Sequence, residues 1–175
     1  MSDHFTPAFK AAYDRVTSGE YSSELELKQA FRDEMLQLGH EERVQNLYRI
    51  KDKLTGKLVF FRLNKFQKKF LKEKTSRNII LKSRQIGGTV LQCVRETDLL
   101  LFGQNFKGVI MADKKDRVSE IFNDKFKVTF ERFKKDWGHL YKPSEKFNSK
   151  TSITLLDDGL GRDLNNSVIV TYDAV

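Results

Sequence analysis

The sequence predicts an α/β fold: a parallel sheet with flanking helices, preceded by a helical arm and a β-hairpin. Three observations predict it. Asn78-Ile79-Ile80-Leu81 is a short, continuously apolar run, as expected of a strand buried on both faces of a parallel sheet. Thr89 to Leu101 then places Val90, Val94, Thr97 and Leu101 at helical spacing before Gly103, and Val109-Ile110-Met111-Ala112 is a second apolar run. Strand, loop, helix and strand in that order form a crossover unit, which is right-handed almost without exception.

The elements ahead of this unit read as follows. Thr6 is placed to cap a helix with Pro7 in its first turn, and Phe9, Ala12, Tyr13 and Val16 recur on one face before Gly19. Ser23 with Glu26 three residues later is a capping box, and the stripe Leu27, Phe31, Met35, Leu38 stops at Gly39. These two helices make an arm over residues 1–45. From Asn46 the period changes: Leu47-Tyr48-Arg49-Ile50 and Leu58-Val59-Phe60-Phe61 flank a polar stretch ending in Thr55-Gly56, a β-hairpin pattern. A short basic helix from about Asn64 to Lys74 carries Phe66, Phe70 and Leu71 on one side.

Beyond the crossover unit, Val118, Phe122, Phe126, Phe130, Phe133 and Trp137 trace one face of a long helix that ends at Gly138. Thr151–Leu156 and Ser167–Tyr172 read as strands separated by a polar loop, Asp157–Asn166. Residues 46–175 therefore form one α/β domain behind the arm.

The totals exclude several classes. Of 175 residues, 39% are hydrophobic and 32% charged, with 14 phenylalanines and two prolines, so disorder is excluded as the global reading. No apolar run approaches a membrane span, and the start, Met1-Ser2-Asp3-His4, has no signal-like pattern; a cytoplasmic protein is expected. Cys93 is the one cysteine, which rules out an intrachain disulfide and fits a reducing compartment. The formal net charge of +8 suits a phosphate-bearing partner without requiring one.

The chemistry concentrates in Lys82-Ser83-Arg84-Gln85-Ile86-Gly87-Gly88-Thr89, between the first apolar strand and its helix. An ordinary phosphate-binding loop reads Gly, four residues, Gly-Lys-Ser/Thr. Here the second glycine and the hydroxyl are present, glycine stands at 88 where lysine is usual, and a lysine stands at 82 where the first glycine belongs. Backbone N–H groups entering a helix still form an anion cradle, and Gly87 and Gly88 permit close approach. Thr89 is placed to offer its hydroxyl to Mg²⁺, and Lys82 or Arg84 to bring positive charge to the β- and γ-phosphates. The plainer alternative is that Gly87-Gly88 only turn the chain; the flanking strand and helix favour the phosphate loop, and with it a P-loop NTPase fold.

This octapeptide resembles the deviant phosphate loop of phage terminase large subunits, in which Lys-x-Arg-Gln-x-Gly-x-Ser/Thr recurs. Leu63-Asn64-Lys65-Phe66-Gln67-Lys68-Lys69-Phe70-Leu71 is similar to that family's adenine-recognition segment, with Gln67 placed 15 residues ahead of Lys82. Alone, Gln67 reads as a surface glutamine; paired with the loop, its amide suits the N6 donor and N7 acceptor of adenine. The likeness is strongest over Phe61–Glu120 and absent over residues 1–45.

The resemblance implies a helicase-like ATPase motor with ATP and Mg²⁺ as cofactors. Its ATP site comprises Gln67, Lys82, Ser83, Arg84, Gln85, Ile86, Gly87, Gly88 and Thr89, with Lys82 and Arg84 in catalytic roles and Thr89 on Mg²⁺. The implied partners are double-stranded viral DNA, a portal protein, a small terminase subunit and further copies of the chain on a procapsid, with no membrane, in the bacterial host cytoplasm. The family's acidic strand and nuclease domain are expected after this region, so the chain is expected to stop short of a complete motor and not to hydrolyse ATP at motor rates. Two runs resemble that acidic strand: Ile153–Asp158, which ends in Asp157-Asp158 without the glutamate, and the weaker Val168–Asp173.

Two basic clusters are candidates for DNA contact: Arg62, Lys65, Lys68, Lys69, Lys72, Lys74, Arg77, and Lys114, Lys115, Arg117, Lys125, Lys127. Solvated helix faces are the plain alternative for each, and no DNA-binding residue is singled out. Another helicase-like motor, or a nucleic-acid-binding or assembly module without catalysis, are the rival functions.

Overall fold

The computed structural model describes residues 4–75 and 86–173. Helix α1 (Pro7–Ser18) begins where Thr6 Oγ1 accepts the Phe9 N–H at 3.3 Å. Helix α2 (Glu24–Gln37) begins where Ser23 Oγ accepts the Glu26 N–H at 3.2 Å, while the Glu26 carboxylate accepts the Ser22 N–H at 2.8 Å. A third helix, α3 (His40–Asn46), then follows inside the stretch read as the end of the arm. Strands β1 (Arg49–Lys51) and β2 (Leu58–Phe60) pair antiparallel with Ile50 opposite Val59, as the hairpin pattern predicts. Asp52 Oδ1 organises their turn by accepting the Thr55 N–H at 2.8 Å.

Helix α4 (Lys65–Glu73) precedes the loop region, and α5 (Gly88–Phe102) follows it. The expected strand Asn78–Leu81 lies outside the described residues. Strand β3 (Lys107–Ala112) leads into α6 (Lys115–Glu120), a π-helical turn (Ile121–Lys127) and α7 (Val128–Trp137). Strands β4 (Glu145–Asn148), β5 (Ser152–Asp157) and β6 (Asp163–Asp173) complete the chain, β4 being unanticipated.

The architecture is α/β, but among the described strands the sheet is mixed, not parallel throughout. Its order is β3-β6-β5-β4. Strands β3 and β6 run parallel, with Val109 opposite Val170 and Ala112 opposite Asp173, whereas β4–β5 and β5–β6 are antiparallel. The reason is connection length: the five residues between Asp157 and Asp163 allow a tight return but no crossover.

One hydrophobic cluster joins the arm to the sheet-bearing part. The Trp137 ring stacks on Phe31 at 5.7 Å, meets Phe9 edge-on at 6.1 Å, and donates its Nε1–H to the Leu47 carbonyl at 2.9 Å. A buried polar knot reinforces the junction. Asp98 of α5, fully buried, accepts three guanidinium bonds from Arg43 of α3 (Nε to Oδ1 3.0 Å and to Oδ2 3.2 Å, Nη2 to Oδ2 2.8 Å) and the Tyr48 hydroxyl (2.8 Å), and its Oδ2 lies 2.7 Å from His40 Nδ1. Burial pushes the Asp98 carboxyl up, but the His40 hydrogen bond and the Arg43 charge outweigh it and hold it below the ordinary carboxylate range.

Candidate functional site

The site is built where the loop becomes α5. Gly87 sits at φ +75°, ψ 14°, in the left-handed region, and Gly88 is the first right-handed helical residue. A left-handed residue followed by a right-handed one turns successive N–H groups toward a common point, the concavity that binds anions. The N-cap residue, Gly87, has no side chain to cap α5, and the first turn carries no acidic residue, so among the described residues no side chain competes for its positive dipole end.

Two amides on the first turn of α4 hold this conformation. Asn64 Nδ2 donates to the Ile86 carbonyl at 3.1 Å and Gln67 Nε2 to the Gly87 carbonyl at 2.9 Å. The same residues close a reciprocal capping box: Asn64 Oδ1 accepts the Gln67 N–H at 2.9 Å, and Gln67 Oε1 accepts the Asn64 N–H at 2.8 Å. In a trans peptide the C=O and the next N–H point opposite ways, so drawing these two carbonyls toward α4 turns the Gly87 and Gly88 N–H groups away from it. The backbone requires glycine at 87, and an added Cβ would also disturb the clamp. The φ of Gly87 disfavours any L side chain, and a Cβ there would stand 2.8 Å from Gln67 Nε2.

Gly87, Gly88 and Thr89 open onto a cleft of about 1110 Å³. Lys114, Asp116 and Arg117, which follow the carboxyl end of β3, line the cleft, and the carboxyl end of a parallel strand is where α/β sheets receive ligands. The described lining of the cleft has six basic side chains, Lys51, Lys53, Arg62, Lys114, Arg117 and Lys125, against three acidic ones. Two of those acids are already engaged: Asp52 by its own turn, and Glu120 by Lys125 Nζ at 2.6 Å. The cleft therefore favours an anion.

Of the residues singled out from sequence, Gln67, Ile86, Gly87, Gly88 and Thr89 are brought together here, while Lys82, Ser83, Arg84 and Gln85 lie outside the described residues. Gln67 is 3% exposed, and among the described residues its amide keeps one N–H and one lone pair beyond the clamp. Thr89 lies half-buried in the first turn of α5 on the cleft wall. Asn64 was not anticipated, although the Asn-x-x-Gln spacing of a capping box was there to be read. Lys51 and Lys53 at the hairpin turn were also missed, because nothing in a two-stranded ribbon's sequence says what it overhangs.

The acidic pair Asp157-Asp158 is at the wrong end. Arg162 Nη2 donates to the Phe102 carbonyl at the carboxyl end of α5, and Asp158 Oδ1 accepts the Arg162 N–H at 2.9 Å. Thirteen residues of α5 separate Phe102 from Thr89, about 20 Å along the helix axis. Asp158 is fully buried beside Arg32 (3.3 Å), and Asp157 Oδ1 accepts from Ser144 Oγ and the Gly159 N–H, so both organise the β5–β6 turn. Asp173 pairs with Ala112 at the carboxyl end of β6.

Among the described residues no group of three or more His, Cys, Asp or Glu is placed to hold a metal, and no helix is long and apolar enough to cross a membrane. Set against known protein families and characterised proteins, the chain matches none.

Proposed function

We propose that this chain is the ATP-binding part of a viral DNA-packaging motor of the terminase large-subunit class. The observation that carries the reading is the Gly87–Gly88 turn: a left-handed and a right-handed glycine at the start of α5, clamped by Asn64 and Gln67 at the mouth of a basic cleft. In this reading the N–H groups of the turn cradle the nucleotide's phosphates, and Thr89 offers its hydroxyl to the accompanying Mg²⁺. Gln67 presents its remaining N–H and lone pair to adenine. Lys82 and Arg84 bring positive charge to the β- and γ-phosphates. The bound metal would supply charge neutralisation across the phosphates. In the assembled motor, ATP hydrolysis drives double-stranded viral DNA into a procapsid through a portal protein, with copies of the chain and a small subunit around it.

Titration with fluorescent ATP in the presence of Mg²⁺ tests the reading. Saturable binding is expected, weakened about tenfold or more by Lys82→Ala, since a hydrogen bond to a charged group contributes roughly 1.5–3 kcal/mol. Unchanged ATP affinity in Lys82→Ala, with DNA binding retained, would instead establish a nucleic-acid-binding module that keeps the fold without the chemistry.

A further inference from the structure

The two basic clusters of the sequence have different surroundings. Lys114, Arg117 and Lys125 line the cleft that holds the glycine turn, and Lys125 is paired with Glu120. Lys127 is likewise engaged, donating to the Ser149 carbonyl at 2.8 Å. The lysines of α4 face solvent. Lys65, Lys68, Lys69 and Lys72 fall at i, i+3, i+4 and i+7, so they form a single stripe, and all four are exposed. Their only ion pair among the described residues is the long, exposed contact of Lys69 with Glu73 at 4.0 Å. The opposite face of α4 is spent on the fold: Gln67 and Leu71 are buried, and Phe66 and Phe70 are half-buried and stacked on each other at 6.5 Å.

We propose that the α4 lysine stripe is the surface that takes the phosphate backbone of duplex DNA, whereas the cleft cluster serves the anion bound at the glycine turn. This deepens the DNA-handling part of the function proposed above and rests on it only for the occupant of the cleft. Charge complementarity selects a polyanion. An anionic membrane is disfavoured because α4 exposes no large apolar side chain to insert beside its lysines. The stripe rises over seven residues, about 10 Å of helix, which suits successive phosphates along a groove edge better than one small anion. Contacts of this kind carry no base sequence, so the binding is expected to be indifferent to it.

The test is duplex DNA of arbitrary sequence, followed by fluorescence anisotropy through a KCl series. The triple variant Lys68→Gln/Lys69→Gln/Lys72→Gln is expected to flatten the log–log salt slope by about 2.7, at about 0.9 for each phosphate no longer neutralised. Lys68→Arg/Lys69→Arg/Lys72→Arg should keep the wild-type slope, and Lys114→Gln/Arg117→Gln should leave it within about 0.5. An unchanged slope in the glutamine triple, an equal flattening in the cleft double, or binding to phosphatidylserine vesicles without binding to DNA would each overturn the proposal. Far-ultraviolet circular dichroism confirms that the variants are folded. ATP titrated into the same proteins separates the two readings, because absence of ATP binding removes the nucleotide assignment and leaves the DNA slopes to decide the stripe.

Discussion

Gln67 of α4 donates its Nε2–H to the carbonyl oxygen of Gly87, 2.9 Å away, where the chain changes hand to enter α5. One side chain thus secures its own helix and the conformation of the glycine turn. Substitution at 67 acts through the backbone it holds as well as through any base it meets. Gln67→Ala is expected to weaken binding of bare pyrophosphate, and to weaken ATP binding further. A residue that only read adenine would affect ATP alone and one that only held the turn would affect both equally, so isothermal titration with both ligands separates the roles.

Asn64 has no expected contact with a base, yet it caps α4 and holds Ile86. Asn64→Ala should cost about 1 kcal/mol in denaturant unfolding from the missing cap and should lower ATP affinity. Asn64→Asp is the informative partner, since it keeps the capping acceptor but not the donor to Ile86. It should restore stability without restoring affinity.

Gly87→Ala places a methyl group against Gln67 in a backbone region that disfavours it. A destabilisation of roughly 1–3 kcal/mol is expected, together with loss of nucleotide binding. Gly56 is the control, with φ +67° but nothing within 4 Å of an added Cβ. Gly56→Ala should lower the melting temperature and leave the ATP dissociation constant within about twofold, because it bears backbone strain without disturbing the clamp.

Asp98 sets an acid limit on stability. Its carboxyl is held below its unfolded value by His40 and Arg43, so its contribution is present above the unfolded carboxylate range, near pH 4, and is lost as pH falls through the lower folded value. Asp98→Asn should therefore flatten the acid limb of a stability–pH curve. It should also destabilise the protein at pH 7 by about 3–5 kcal/mol, because Arg43 would stay buried without its counter-charge.

Cys93 is 3% exposed, and burial pushes its thiol up to about 12. Labelling by a thiol reagent at pH 8 should proceed only as fast as the protein opens. Burst labelling of the folded protein would contradict this placement.

Much of this fold was legible because local chemistry and the global arrangement agree. Thr6-Pro7, Ser23 with Glu26, and the alternation around Thr55-Gly56 each became the element their residues favour. Helix α3 was missed because Val44 is its one apolar residue, and Arg43 and His40 tie it to Asp98, a contact no local window contains. Strand β4 was missed because Lys146, Phe147 and Asn148 are exposed and its pairing with β5 is irregular. The π-turn did leave a mark. Val118, Phe122, Phe126 and Phe130 recur in steps of four, and each such step overshoots an α-helical turn by about 40°. The wider turn at Ile121–Lys127 lets Val118, Phe122, Phe126 and Phe130 all stay buried. At the site, the glycine turn was singled out from its place ahead of a helix pattern and Gln67 through the family resemblance, but the bond of Gln67 to Gly87 was not foreseen, and the wrong polarity of Asp157-Asp158 depended on strand direction, which an acidic dipeptide does not reveal.

The ion pair between Arg32 and Asp158 joins residues 126 positions apart, and the parallel pairing of β3 with β6 brings Lys107 opposite the distant Val168. Neither pairing can begin to form during synthesis until the chain has emerged as far as Asp158 and Val168. Folding of this protein is accordingly expected to be slow for its size, because loop closure over such separations costs entropy before burial of Trp137 and its neighbours returns it. Until then α1 and α2 expose Phe9 and Phe31, which makes the nascent helical arm the segment a chaperone would meet first.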